Sequence, residues 1–312
     1  MKKLLLLTSL LLLAAAPFFG QIDLPLDKLL QSGTMEHQVF FELRLPRVLL
    51  AFLVGGILSL GGLVFQVVFR NPMSTPFTLG VASGATLFTA IAIIAGFSTF
   101  SPLFAFLGAM LTVIVLFAIA ARFQNYDPTA LLLVGIALSF FYSAALMVAF
   151  YLSTLQESYE IMRFTMGSLD VVGFNNIWLL GMVSGLLLGL VYHYRKAFQA
   201  LLTSYEFAFL QGIHVKKLSY TLLFGVSVAV GVAVSMTGPI GFVGLIIPHI
   251  LKTLYRVSAD KLLWQSFFYG GIFLVLSDLI ARNLGESDLP IGVVTSFVGA
   301  PFFIYLLLQR KS

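Results

Sequence analysis

Apolar runs as long as a bilayer is thick fill this chain almost from end to end, and Pro and Gly break three of them. A helix needs about 20 apolar residues to cross the hydrocarbon core. On that template ten runs qualify: 4–20, 45–69, 75–96, 102–121, 129–152, 176–194, 217–236, 241–257, 263–281 and 291–308. The expectation is an all-α polytopic membrane fold, one transmembrane domain over residues 1–312, with no room for a separate soluble unit. The first run carries Lys2, Lys3, a Leu-rich stretch and Ala14-Ala15-Ala16, a pattern shared with secretory signals. It continues through Pro17-Phe18-Phe19, so it is read as an uncleaved first span.

The broken stretches are NPMSTPFTLGVASGA (71–85), GPIGFVGLIIPHI (238–250) and LPIGVVTSFVGAPFF (289–303). Irregular backbone at membrane depth is tolerated only where protein buries it or a cavity borders it. Interrupted segments at corresponding places of two halves point to a translocation path. Spans two to five and seven to ten form such halves. Their members lie five spans apart, an odd number, so the repeat is inverted. Gly181, Gly185 and Gly189 share one face of span six, which predicts close approach of a neighbouring helix.

Charge sets the orientation. With the N-terminus inside, the inner side collects Lys2, Lys3, Arg70, Arg122, Arg195, Lys196, Lys216, Lys217, Lys252, Arg256, Lys261, Arg310 and Lys311, which is 13 of 18 basic residues. Lys28, Arg44, Arg47, Arg163 and Arg282 stay outside. That is the asymmetry the positive-inside rule demands, and it places both termini in the cytoplasm. The +5 net charge therefore encodes topology rather than nucleic-acid binding.

Enzyme chemistry has no visible candidate. No GxxxxGK[ST] stretch occurs, so the chain holds no P-loop of its own. Cys is absent and the four histidines (His37, His193, His214, His249) are scattered, which leaves no metal-ligand motif and no expected cofactor. Three outer arginines break the positive-inside trend: Arg44 and Arg47 in LRLPR, and Arg282. Their plainer reading is snorkelling at helix ends; their functional one is a basic rim for an acidic partner, with Asp278 at i,i+4 holding Arg282. On the inner side, LLTSYEFAFLQGIHVKK (201–217) is too short to span; Ser204 can cap a short helix and Gly212 can end it. Such a helix lies at the interface or presses into a cytosolic motor. Gln66 is read as an interhelical hydrogen bonder. His249, after Pro248, is read as satisfying a carbonyl that the proline frees.

Taken in order, the motifs resemble the permease subunits of type II ABC importers, the iron-siderophore, haem and vitamin B12 permease family. They are LRLPR (43–47), the stretch with Gly56, Gly62, Gln66 and Asn71 running into RNPMSTPFTLGVASGA, MGSL (166–169), Glu206-x-Ala208-x-x-x-Gly212, GPIGFVGLIIPHI, DLIAR (278–282) and SDLPIGVVTSFVGAPFF (287–303). The resemblance covers residues 40 to 308. It implies that Arg44, Arg47 and Arg282 receive acidic residues of a solute-binding protein, and that Glu206, Ala208 and Gly212 contact the ATPase. It also implies an inner gate at the start of span five, in the loop Asn125-Tyr126-Asp127-Pro128-Thr129. Pro128 departs from the family's small polar pair there, leaving Thr129. Phe207, Phe209 and Leu210 make the coupling segment more apolar than the family pattern.

The function implied is a non-enzymatic permease in a bacterial inner membrane, importing a chelated iron compound by alternating access. A ferric siderophore leads, with haem or cobalamin behind it. The partners are a second copy of the chain, a cytosolic ATPase and an extracytoplasmic binding protein. An ion-coupled secondary transporter is the alternative; it needs intramembrane carboxylates, and only Asp278 lies inside a predicted span.

Overall fold

The computed structural model describes residues 2–20, 25, 31, 33–120, 122, 128–254, 258–284 and 288–309. Among these every regular element is a helix: α1 (Lys2–Ala15), α2 (Met35–Val68), α3 (Val81–Ile94), α4 (Ser101–Ala120), α5 (Pro128–Leu152), α6 (Leu155–Met166), α7 (Asn175–His193), α8 (Arg195–Thr203), α9 (Tyr205–Leu210), α10 (Val215–Thr237), α11 (Val243–Leu254), α12 (Ala259–Asn283) and α13 (Ile291–Gln309). Each of the ten predicted spans corresponds to one of them, and α6, α8 and α9 are additional. Six are long and apolar enough to cross a bilayer alone, while α1, α3, α11 and α13 contain shorter apolar stretches.

The two weakest predicted spans prove to be short for the same reason. α3 has 14 residues and α11 has 12, roughly 21 and 18 Å at 1.5 Å per residue against a core of about 30 Å. Irregular backbone, 69–80 before α3 and 238–242 before α11, supplies the remaining depth. Each irregular stretch contains one non-glycine residue in the left-handed region, Arg70 (φ 48°) and Phe242 (φ 66°). Such residues persist only where the surroundings hold them.

The contacts follow the inverted repeat. α2 packs on α12 as α10 packs on α4; α2 meets α11 as α10 meets α3; α3 touches α4 and α5 as α11 touches α12 and α13. α2 is the central pillar, and most of its residues are buried. Lipid tails are as apolar as leucine, so helices associate here by close packing of small residues. Gly55 faces Gly270 across the α2–α12 crossing, and the Ser59 and Ser266 hydroxyls pair at 2.9 Å beside it. A Cβ at Gly62 would overlap the Gly244 carbonyl, so that glycine sets the distance between α2 and α11.

One packing expectation is corrected. Gly181, Gly185 and Gly189 have nothing within 4 Å of where a Cβ would stand. Among the described residues their face of α7 is open, and no helix packs on the stripe.

Candidate functional site: cavity, outer cluster and inner helix

Proline chemistry shapes the site first. Pro46 has no N–H to bond the Glu42 carbonyl. The Leu45 N–H instead reaches five residues back to Phe40, widening Val39–Arg44 into a π-helical turn. The freed Glu42 carbonyl accepts the Gly173 N–H at 2.8 Å. Pro248 likewise deprives the Gly244 carbonyl of its helical donor, and Gln66 Nε2 donates to it at 3.0 Å. Lys252 Nζ then donates to Gln66 Oε1 at 3.1 Å. Gln66, read from the sequence as an interhelical hydrogen bonder, thus serves the carbonyl that Pro248 frees. The reason is geometric: the vacant carbonyl points at α2, across the Gly62 contact.

All three broken stretches meet at one cavity of about 720 Å³. Thr75, Phe77 and Thr78 come from the first, Pro239, Gly241, Phe242 and Leu245 from the second, and Gly292, Val293, Ser296 and Phe297 from the third; Thr165 and Met166 at the end of α6 complete the wall. The lining holds hydroxyls and aromatic rings and no formal charge. Phe297 is 82% exposed, so this wall faces outward from the chain.

The outer arginines are not an open rim. Arg44 is buried and its Nη1 donates to the Phe18 carbonyl at 3.2 Å. Arg282, also buried, approaches the Phe19 carbonyl at 3.5 Å. Both thus face the carboxyl end of the α1 segment, where carbonyls lack helical donors. Arg47 sits among three carboxylates: Asp278 at 2.9 Å, Asp288 at 2.6 Å and Asp170 at 3.4 Å. Arg282 pairs with Asp278 at 3.1 Å, the i,i+4 contact foreseen, and Arg163 with Asp170 at 3.1 Å. Three arginines and three aspartates balance in this cluster. Burial pushes the Asp170 carboxyl up, but the Ser168 hydroxyl, Arg47 and Arg163 outweigh it and hold it below the usual carboxylate range. The exposed cation is Arg163, with 65% of its side chain open. Asp170 follows the MGSL motif and Asp288 lies within SDLPIG, so both were in view as sequence without being weighed as charges.

On the opposite end, α9 is the short helix expected. Ser204 Oγ accepts the Phe207 N–H at 2.9 Å. Gly212 ends it with φ +74°, a conformation a side chain would strain. The Tyr205 hydroxyl donates to the Val68 carbonyl, and the Arg70 guanidinium lies 5.4 Å from the Tyr205 ring, so α9 is fastened to the foot of α2. The Glu206 carboxyl is exposed and held below the usual range by the backbone at the helix start, then by Ser204 and Arg70. Ala208 corrects the picture of a residue facing a motor: it is fully buried, because it lies on the side of α9 that packs against α8 and α10. Phe207, Phe209 (75%) and Leu210 (83%) occupy the open face. Thr129 lies exposed in the first turn of α5; residues 125–127 of the expected gate loop, and Lys28, Arg256, Arg310 and Lys311, fall outside the described residues.

A polytopic helical chain with an inverted repeat and half-length helices facing a cavity is built as a membrane permease. The chain belongs to the FecCD transport family, whose model matches residues 5–309. It is 37% identical over 275 residues to the Helicobacter pylori (strain ATCC 700392 / 26695) protein named "Probable iron chelatin transport system permease protein", covering 88% of this chain and 83% of that one. It is 31% identical over 311 residues to the vitamin B12 import system permease protein BtuC of Vibrio vulnificus (strain CMCP6), covering 98% and 93%. Among solved structures, a metal-chelate type ABC transporter in an inward-facing conformation superposes with a TM-score of 0.87 at 28% identity, over 98% of this chain and 99% of that one. This chain is accordingly a transport subunit of an ABC importer.

Proposed function

We propose that the permease imports a ferric chelate, with a siderophore as the leading substrate, by alternating access at the face formed by the three broken stretches. The observation that carries this reading is the cavity itself: every Pro/Gly-broken stretch contributes to one uncharged wall. A naked metal ion would call for a set of strong donors such as carboxylates, imidazoles or thiolates, none of which lines this cavity among the described residues, whereas a chelate brings its own. Haem and cobalamin meet the same criterion, and the similarity to the Helicobacter protein favours an iron chelate. The pathway is completed by a second copy of the chain. In support, α5 leaves Phe140, Phe141 and Met147 exposed, and α13 leaves Val293 and Phe297 exposed on the cavity's wall.

In this reading the open face of α9 seats in a cytosolic ATPase, with Glu206 and Gly212 at its ends and Ala208 packing it to the permease. The outer cluster with Arg44, Arg47 and Arg282 docks an acidic solute-binding protein, and Thr129 stands at the inner gate. The membrane is the bacterial inner membrane and both termini are cytoplasmic. An ion-coupled transporter is less well supported, since Asp278, the carboxylate inside a span, already pairs with Arg47 and Arg282.

The test is uptake into proteoliposomes holding the permease with its cognate ATPase and binding protein. Ferric siderophore should accumulate only with ATP and should persist when ionophores collapse all gradients. Uptake driven by a proton or sodium gradient without ATP would overturn the assignment.

A further inference from the structure

The outer cluster has an asymmetry that suits exchange. Arg47 Nε is held by Asp278, which is wholly buried, while Nη1 is shared by Asp288 and Asp170, whose side chains are 41% and 51% exposed. One edge of the guanidinium is therefore anchored and the other meets solvent. The two exposed carboxylates sit on chain segments that also contribute to the cavity's lining. Asp288 lies four residues before Gly292, and Asp170 four after Met166, and both Gly292 and Met166 line the cavity. A Cβ at Gly292 would overlap the Met166 carbonyl, so these two segments are packed on each other. A second cavity of about 410 Å³, lined by Arg47, Arg163, Asp170 and Asp288, adjoins the first through Met166.

We propose that Asp170 and Asp288 are internal stand-ins for a partner's carboxylate on Arg47, and that docking of an acidic protein displaces them and frees the two segments that line the cavity. This rests on the reading of the outer face as a docking site. Exposed ion pairs contribute little net stability, so exchanging one carboxylate for another is nearly balanced. An incoming carboxylate meets an arginine already oriented by Asp278 and by planar geometry suited to such a partner. Docking and opening then become one event, because the groups that leave Arg47 are carried by the segments that line the cavity.

The experiment uses the permease–ATPase complex in nanodiscs and its cognate binding protein. Wild type is compared with Asp288→Asn, Asp170→Asn, their combination and Asp288→Glu as the conservative control. Cysteines at Val172 and Leu289, unique in a chain without native Cys, carry spin labels that report the separation of the two segments. Docking should tighten by up to about fivefold in each single Asn variant, since a competitor worth up to about 1 kcal/mol is gone. The label separation should broaden before docking in those variants, and only upon docking in wild type and Asp288→Glu. Unchanged or weaker docking in the Asn variants, or labels that stay fixed on docking in wild type, overturns the exchange while leaving the docking site standing. Absence of any docking to wild type overturns both.

Discussion

Gln66 shows how one side chain can hold two helices at a fixed depth. Its amide answers the carbonyl that Pro248 strips of a donor and accepts from Lys252, three groups that water cannot reach easily. Gln66→Leu would leave the Gly244 carbonyl unsatisfied, a cost of about 1–3 kcal/mol for a buried polar group. The expected outcome is a lower thermal midpoint in detergent with unchanged membrane insertion. Gln66→Glu should not restore stability, because it keeps an acceptor for Lys252 and loses the donor. Equal midpoints for wild type and Gln66→Leu would show that the carbonyl has another partner. The sequence pointed to Gln66 as a bonder between helices, but not to the carbonyl it serves.

Among elements, α9 separates packing from contact. Its buried side, Ala208, faces the permease; its open side, Phe207, Phe209 and Leu210, faces the cytoplasm in the charge-derived orientation. Phe209→Glu with Leu210→Glu should abolish co-purification of the ATPase and lower uptake at least tenfold, with the permease itself as stable as wild type. Ala208→Leu should behave otherwise: overpacking costs typically 1–3 kcal/mol, so the permease loses stability along with its partner. If the double variant keeps its ATPase, the apolar face is an interfacial surface in contact with lipid headgroups. The Ser204 cap and the Gly212 stop were legible locally. The side to which Ala208 turns was not, because α8 and α10 decide it. α6 was missed as an element, although Thr154 and Glu157 form a capping box that its sequence displays.

At the scale of the molecule, α2 has 34 residues, and from Arg47 in the outer cluster to Val68 at the foot that holds α9 it rises roughly 30 Å. That pillar joins the proposed docking face to the proposed coupling face without a break in the helix, apart from the π-turn at Val39–Arg44. Its direction is tested by labelling. A single cysteine at Gln156 should react with an impermeant reagent added outside intact cells, and one at Lys196 should react only after permeabilisation. The reverse pattern would invert the whole assignment of faces and with it the roles given to Arg47 and Glu206.

Properties that act along the chain were settled by the sequence alone. The ten apolar runs, the breaks at Pro and Gly, and the Ser204 cap each depend on residues a few positions apart or on transfer into lipid, which every segment undergoes individually. Tertiary structure decided what meets across the fold. Gln66 and Gly244 lie 178 positions apart and Arg47 and Asp288 lie 241 apart, and no local pattern encodes those pairings. They depend on how closely helices approach, which the glycines of α2 permit but do not direct. For the same reason Arg47 and Arg282, two of the three arginines that read as a basic rim, stand among aspartates together with Arg163: a charge is visible in the sequence, whereas the counter-charge that packing brings to it is not.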